Sequence, residues 1–293
     1  MPDTTILGVN HQFMYPASIT DAKVHTETLK KVAANEDVAA LDCWIWRDER
    51  AEEETKILLD SGKVINYNIG DRFGEKGAIP ASANPKEQEH AYGLLMREIG
   101  HALKVNAKKI IFASGPDFRE DHEGALERLF EFIMKIGSQV PKDVTLAFEP
   151  TDWDIDKFFL CGKMEETTDL IHKLRKAGLE NFGMLLDMCH IPIMHETLES
   201  AMEKAEDTLV HIHLGNALIK NPASPFYGDK HIPWGYPEAE YDEADAIRFI
   251  HMLRDKGYFE KENTVSFEMR PIEGMSPEES LKRWVKVWQQ AEI

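Results

Sequence analysis

The chain has only three cysteines, Cys43, Cys161 and Cys189, in 293 residues. An odd number spaced this far apart makes no disulfide framework and fits reduced thiols in a cytosol. Positive charge is short as well: 34 Lys and Arg stand against 52 Asp and Glu, a net charge of −18. Duplex nucleic acid demands a basic footprint, so it is not an expected partner; the acidity favours solubility. No apolar run approaches the roughly 18 residues of a membrane span. The start, Met1-Pro-Asp-Thr-Thr-Ile6, lacks the basic and apolar segments of a secretory signal. A cytoplasmic protein with neither membrane nor nucleic acid as partner is therefore expected. No Gly-x-Gly-x-x-Gly follows the first apolar run, which removes the usual sign of a dinucleotide-binding open sheet. No repeat, low-complexity stretch or linker divides the sequence, and residues 1–293 are expected to form a single domain.

What the chain does have is alternation. Short apolar runs at Thr5–Val9, Val38–Trp44, Lys63–Asn68, Lys109–Ala113, Thr145–Phe148, Gly183–Leu186, Leu209–His213 and Val265–Glu268 read as strands. Helical periodicity lies between them. Leu95, Ile99, Ala102 and Leu103 form one stripe, and Leu126, Leu129, Phe130 and Ile133 form another. Leu170, Ile171 and Leu174 form a third, ended by Ala177-Gly178 with a glycine cap. Eight strands separated by helical sequence predict an α/β protein with a parallel sheet, closed as a (β/α)8 TIM barrel. The stretch Gly70–Pro85 reads as a loop above the barrel, placed to act as a lid.

Four of the runs close on a metal-binding type of side chain. They are Val144-Thr-Leu-Ala-Phe-Glu149, Phe182-Gly-Met-Leu-Leu-Asp187, Leu209-Val-His-Ile-His213 and Thr264-Val-Ser-Phe-Glu268. A barrel carries its active site at the C-terminal ends of its strands, and adjacent parallel strands bring such ends together. Glu149, Asp187, His213 and Glu268 thus form a candidate site for one divalent cation. Three carboxylates with one imidazole suit Mn2+ first, with Mg2+, Co2+ or Zn2+ as alternatives.

Further groups accompany them. His190 stands three residues after Asp187, Asn216 three after His213, and His231 lies in Asp229-Lys-His231-Ile-Pro-Trp234-Gly235. Arg270 is two residues beyond Glu268, on the same face if the strand continues; it either binds a substrate oxygen or phosphate or clamps a metal-bound carboxylate. His211 shares the face of His213 one layer deeper and reads as a hydrogen-bonded interior histidine. Trp44 and Trp46 end the second strand, and Tyr67, Phe226, Tyr227 and Trp234 supply further aromatic faces of the kind that stack on sugar rings or cap an apolar interior. His190, Arg270, Trp44, Asn216 and His231 are the expected substrate contacts.

The ordered set Glu98-Ile-Gly-His-Ala through Ser114-Gly115, Phe148-Glu149-Pro150, Leu186-Asp187-Met-Cys-His190, His211-Ile-His213, His231-Ile-Pro-Trp-Gly235 and Ser266-Phe-Glu268 covers most of the chain. It resembles the xylose isomerase-like barrels, in particular the sugar phosphate isomerase/epimerase group with its ketose 3-epimerases and apurinic endonuclease relatives. The resemblance implies one divalent metal held by Glu149, Asp187, His213 and Glu268. It also implies that Glu149 and Glu268 act as the catalytic pair, exchanging protons with a keto sugar through an enediolate. Two positions depart from the epimerase pattern. Ile155 stands where those enzymes carry a substrate-contacting glutamate, and Ile219 where they carry an arginine. The endonuclease branch's early histidines are missing around Trp44-Ile-Trp46 and Asn66-Tyr-Asn68, although Asp229 and His231 match its later metal motif.

The expected function is accordingly a metal-dependent sugar isomerase or epimerase acting on a small carbohydrate. Two alternatives stand beside it: a dehydratase or lyase on a keto-inositol or keto-glycoside, and a non-catalytic metal- and sugar-binding subunit. The resemblance also suggests a homo-oligomer.

Overall fold

The structure is a computed structural model that describes residues 6–46, 50–70, 73 and 77–291. Eight parallel strands close in sequence order into a barrel: β1 (Ile6–Asn10), β2 (Ala40–Cys43), β3 (Val64–Asn68), β4 (Lys109–Phe112), β5 (Thr145–Phe148), β6 (Phe182–Asp187), β7 (Leu209–Leu214) and β8 (Thr264–Phe267). β8 pairs with β1, so no sheet edge is left open. Each sequence-predicted strand is present, with ends shifted by at most two residues. Among the described residues the helices are α1 (His11–Met14), α2 (Ala22–Ala33), α3 (Ala51–Asp60), α4 (Pro85–Lys104), α5 (His122–Gly137), α6 (Met164–Lys176), α7 (His190–Ile193), α8 (Leu198–Lys204), α9 (Glu243–Asp255) and α10 (Pro277–Ala291).

The three expected apolar stripes fall on α4, α5 and α6 and pack into the core between barrel and helices. α6 ends as its sequence suggests, with Gly178 at φ +105°. The barrel interior follows a different rule. Facing inward by strand alternation are Ile111, Ala147 and Leu185, which form a small apolar cluster. Across from them lie Asp42, Asn66, Lys109, His211, Thr264 and Ser266, all buried. One side of the barrel is thus oil and the other a polar network, and the polar side runs up to the mouth at His213.

The register of β6 on β7 decides which residues meet there. Met184 stands beside Leu209, but the pairing then shifts, so that Leu185 stands beside His211 and Asp187 beside His213. With an unbroken register Asp187 would face Ile212, whose side chain points to the opposite side of the sheet. The bulge, with Val210 as its extra residue, therefore brings the two groups together. Gly183 makes it possible: a Cβ there would lie 2.3 Å from Val210 Cγ1 and 2.7 Å from the Thr208 carbonyl. A residue with a side chain would have to push the strands apart.

Of the expected lid, Gly70, Phe73 and residues 77–85 are described; residues 71–72 and 74–76 lie outside the described residues. Phe73 is buried, with its ring centroid 6.4 Å from that of Phe112. That contact anchors the segment over β4.

Gly183→Ala is expected to destabilise the protein by about 1–3 kcal/mol through overpacking at the bulge. Urea unfolding of the two proteins measures it, and an unchanged midpoint would show that the β6–β7 approach tolerates a methyl group.

Candidate metal centre at the barrel mouth

Glu149, Asp187, His213 and Glu268 converge at the C-terminal end of the barrel, with one ligand atom from each within 4.8 Å of all the others. Their order around the rim follows the strands, so the two glutamates flank the arc and Asp187 and His213 fill its middle. All four are buried. Nδ1 of His213 lies 2.6 Å from Glu268 Oε2, 3.5 Å from Glu149 Oε1 and 4.0 Å from Asp187 Oδ2.

Asp187 Oδ2 is buried and has no hydrogen-bond partner, and His213 Nδ1 and Glu268 Oε2, also buried, have only each other, 2.6 Å apart. Buried polar atoms normally find partners, and carboxylate oxygens turned toward one another are costly unless something charged joins them. Their chemistry, three carboxylates and one imidazole nitrogen, fits a divalent cation of the Mn2+ or Mg2+ type. Electrostatics agrees with that fit. Burial, reinforced by the charge of Glu268, pushes the Asp187 carboxyl up to about 8 despite His190, His231 and His213 nearby.

The remaining ligand atoms are fixed from outside the cluster. Asp187 Oδ1 accepts from the Cys189 backbone N–H at 2.6 Å, and Asn10 Nδ2 donates to Glu268 Oε1 at 2.6 Å. Asn10 is itself locked, because its Oδ1 caps α1 by accepting from the backbone of Gln12 and Phe13. Burial works to raise the Glu149 carboxyl, but His213, His190 and His231 outweigh it and hold the group below its usual range.

Beside this cluster sits a second one sharing Asp187, with Cys189, His190 and His231. Asp229 ties it together: its Oδ1 is 2.7 Å from His231 Nε2 and 3.3 Å from His190 Nε2, and its Oδ2 is 3.4 Å from Lys157 Nζ. His190 is steered by the Pro150 carbonyl, 3.0 Å from Nδ1. Burial opposes its charge, yet Asp229 and Asp187 hold the imidazole well above its ordinary value. His231 sits at φ +51°, a left-handed backbone that a non-glycine residue adopts at a cost. Its Nδ1 approaches the Glu268 carbonyl at 3.1 Å, and the Phe13 ring covers it with centroids 3.8 Å apart.

His190 and His231 therefore stand against the ligand cluster as expected. The other three expected substrate contacts are engaged elsewhere. Asn216 spends its whole amide on backbone, donating to Pro233 and Tyr241 carbonyls and accepting from Tyr241 N–H. It clasps the loop after β7. Trp44 is buried, with its ring centroid 5.4 Å from that of Trp46 and 4.4 Å from that of His25. Arg270 donates from Nε to the Lys230 carbonyl at 2.8 Å, so it braces the loop bearing Asp229 and His231 and clamps no carboxylate of the cluster. His211 is an interior histidine, as its depth suggests, 2.7 Å from Asp42.

Sequence reading missed Asn10, Phe13 and Asp42. Asn10 directly follows the first expected strand, as Glu149 and Asp187 follow theirs, and Asp42 breaks an apolar run between Leu41 and Cys43, so both carried a signal; Phe13 carried none. Ile155 and Ile219, the two departures from the epimerase pattern, come together with Cys189, Ile193 and Ala217 in one apolar cluster. Neither can hold a sugar hydroxyl.

Comparison with known proteins places this geometry. The chain is similar in fold to L-ribulose 3-epimerase, at 15% identity over 98% of this chain and 96% of that one, with a TM-score of 0.69. It is similar to 3-keto-D-glucoside 4-epimerase from E. coli, at 13% identity over 97% and 99%, TM-score 0.68. It is equally similar to an AP endonuclease of family 2 from Brucella melitensis, at 16% identity over 96% and 98%, TM-score 0.68. No curated protein matches its sequence. Residues 45–290 match the profile of the xylose isomerase-like TIM barrel, and the chain belongs to that family.

Proposed function

We propose that the protein is a divalent-metal-dependent isomerase or epimerase of a keto sugar or related keto carbohydrate, with Glu149 and Glu268 as its proton-transfer pair. The observation that carries this reading is the convergence of the buried, inward-turned atoms Asp187 Oδ2, His213 Nδ1 and Glu268 Oε2 beside Glu149 at the barrel mouth. Glu149, Asp187, His213 and Glu268 would hold the cation, Mn2+ by preference for this donor set. When bound, it supplies the positive charge that stabilises an enediolate developing on the substrate.

The rest is the work of this chain's own residues. Glu149 and Glu268 approach from opposite flanks, so one can take the α-proton of a ketose and the other return one from the opposite face. Glu268 is suited to this because Asn10 fixes Oε1 and leaves Oε2 turned inward. His190 and His231, each beside Asp229, line the cluster with imidazoles that would reach a substrate oxygen by exchanging one of their present contacts. Phe13, partly exposed above His231, adds an apolar wall. Return of the proton to the same carbon gives epimerisation, and to the neighbouring carbon gives isomerisation.

The fold neighbours include epimerases of a free ketose and of a 3-keto-glucoside. The apolar Ile155–Ile219 cluster weighs against free-ketose specificity, since the two substrate-clamping side chains of those enzymes are replaced by apolar ones. The acidic surface weighs against DNA as substrate.

Incubation in D2O with ketoses, inososes and 3-keto-glycosides, using Mg2+- and Mn2+-loaded protein, is expected to place deuterium on one α-carbon, read by NMR after protein and metal are removed. The labelled position separates epimerase, isomerase and lyase. Bound metal with no label in any compound would favour the binding-subunit alternative. Glu268→Gln keeps an oxygen for Asn10 but loses the charge, and should lower turnover at least about 10²-fold; retained turnover removes Glu268 from the proposed role. Stripping the metal should lower the melting temperature by roughly 5 °C, since a ligand of the native state at 100 times its Kd contributes about 2.7 kcal/mol. An unchanged melting curve after verified metal removal would count against a four-ligand site.

A further inference from the structure

We infer that Asp42, in the middle of β2 and inside the barrel, is the positioning residue that fixes the ring orientation and tautomer of His213, so that Nδ1 faces the cation site. The inference rests on the metal-site reading proposed above. Asp42 touches none of the other three ligands, and it acts on the site through His213 alone.

The argument starts from hydrogen-bond direction. Oδ2 of Asp42 lies 2.7 Å from Nε2 of His213 and 2.7 Å from Nε2 of His211. Its other oxygen, Oδ1, accepts from Asn66 Nδ2 at 2.6 Å and from Ser266 Oγ at 3.0 Å. A carboxylate surrounded by four donors is ionised and can only accept. Both Nε2 atoms must therefore carry hydrogen. For His213 the other nitrogen, Nδ1, is then the one turned toward Glu149, Asp187 and Glu268, with Glu268 Oε2 the nearest at 2.6 Å.

The network behind Asp42 holds it in place. Lys109 donates from Nζ to Thr264 Oγ1. His211 Nδ1 lies 2.7 Å from that hydroxyl and 3.0 Å from the Thr264 carbonyl, and its Nε2 faces Asp42. These contacts link Lys109, Thr264 and His211 to one side of Asp42, with His213 on the other. Every member is buried, so no water competes for the ring of His213.

A carboxylate behind a metal-binding imidazole both holds the ring and makes its free nitrogen a stronger donor; loss of such partners commonly costs 10–100-fold in metal affinity. Asp42→Asn replaces an ionised acceptor of four donors by an amide that brings donors of its own. It leaves Glu149, Asp187 and Glu268 untouched.

The test uses the whole chain. Calorimetric titration with Mn2+ of the wild-type protein comes first: absence of binding there would overturn the metal-site reading itself. Given wild-type binding, Asp42→Asn should bind Mn2+ about 10–100-fold more weakly. Affinity within threefold of wild type would overturn the role of Asp42 while leaving the metal site standing. Because the variant has a chance of not folding, a second measurement uses wild-type protein only. In the Zn2+-loaded chain, 15N–1H NMR should show His213 with its hydrogen on Nε2, protected from exchange. A hydrogen on Nδ1, with Nε2 toward the metal, would overturn the inference however the variant behaves.

Discussion

Negative charge taken out of water is the constraint on which this molecule turns. Glu149, Asp187, Glu268 and Asp229 are all buried within one barrel mouth, and Asp42 lies buried beneath them. A buried ion without compensation costs several kcal/mol after relaxation. The surroundings answer that cost with fixed partners: Asn10 on Glu268, the Cys189 backbone on Asp187, Asn66 and Ser266 on Asp42, and Lys157 on Asp229. Three histidines, His190, His213 and His231, are threaded between the carboxylates. What stays uncompensated is confined to a few inward-turned atoms. The residual negative charge is thereby concentrated at one point, and a cation would offset it.

Backbone geometry serves the same end. The bulge on β6–β7 sets Asp187 beside His213, and Gly183 lets the two strands close. Gly215 has a similar part, since a Cβ there would lie 3.0 Å from Asp187 Oδ1 and 2.9 Å from Cys189 Cβ. On the next strands round the barrel, β8 and β1, a Cβ on Gly8 would lie 2.5 Å from Ser266 Oγ, so this glycine keeps room for the donor on Asp42. The division of the interior into an apolar side on β4–β6 and a polar side on β2, β3, β7 and β8 puts the hydrogen-bond network directly under His213. Apolar packing fixes one half of the rim, and directed hydrogen bonds fix the other.

The eight strands and the convergence of Glu149, Asp187, His213 and Glu268 were legible in the sequence because both rest on local signals. A run of apolar residues and the polar residue that ends it lie within a few positions of each other. Asp42, Asn10 and Arg270 were not legible in their actual roles, for one physical reason. The partners that define them are remote in sequence: Asp42 meets a residue 171 positions away, and Asn10 one 258 away. Only barrel closure makes them neighbours. Asn216 and Trp44 failed for the opposite reason. Their position near a strand end suggested a side chain free for substrate, whereas Asn216 is consumed by the loop it stabilises and Trp44 by stacking. The register shift at Met184 had no sequence sign beyond Gly183, because a bulge depends on both strands at once.

The disposition of cations bears on the chemistry that such a mouth can host. Arg270 donates to the Lys230 carbonyl, Lys230 pairs with Asp156, and Lys220 pairs with Glu240 and donates to the Ala239 carbonyl. Lys157 is drawn to Asp229, whose charge holds the ammonium above its usual range. Arg270, the positive side chain that the sequence offered for a phosphate, and these lysines are thus drawn to the loops that frame the site. A phosphorylated substrate would have to compete with these contacts. A neutral carbohydrate meets no such demand, since its hydroxyls need hydrogen-bond partners rather than a counter-charge. The one charge it would add is the enediolate formed in turnover, which would arise where the inward-turned ligand atoms would place a cation. The committed cations and the concentrated negative charge therefore favour the same substrate: uncharged in the ground state, with charge appearing only as the proton leaves.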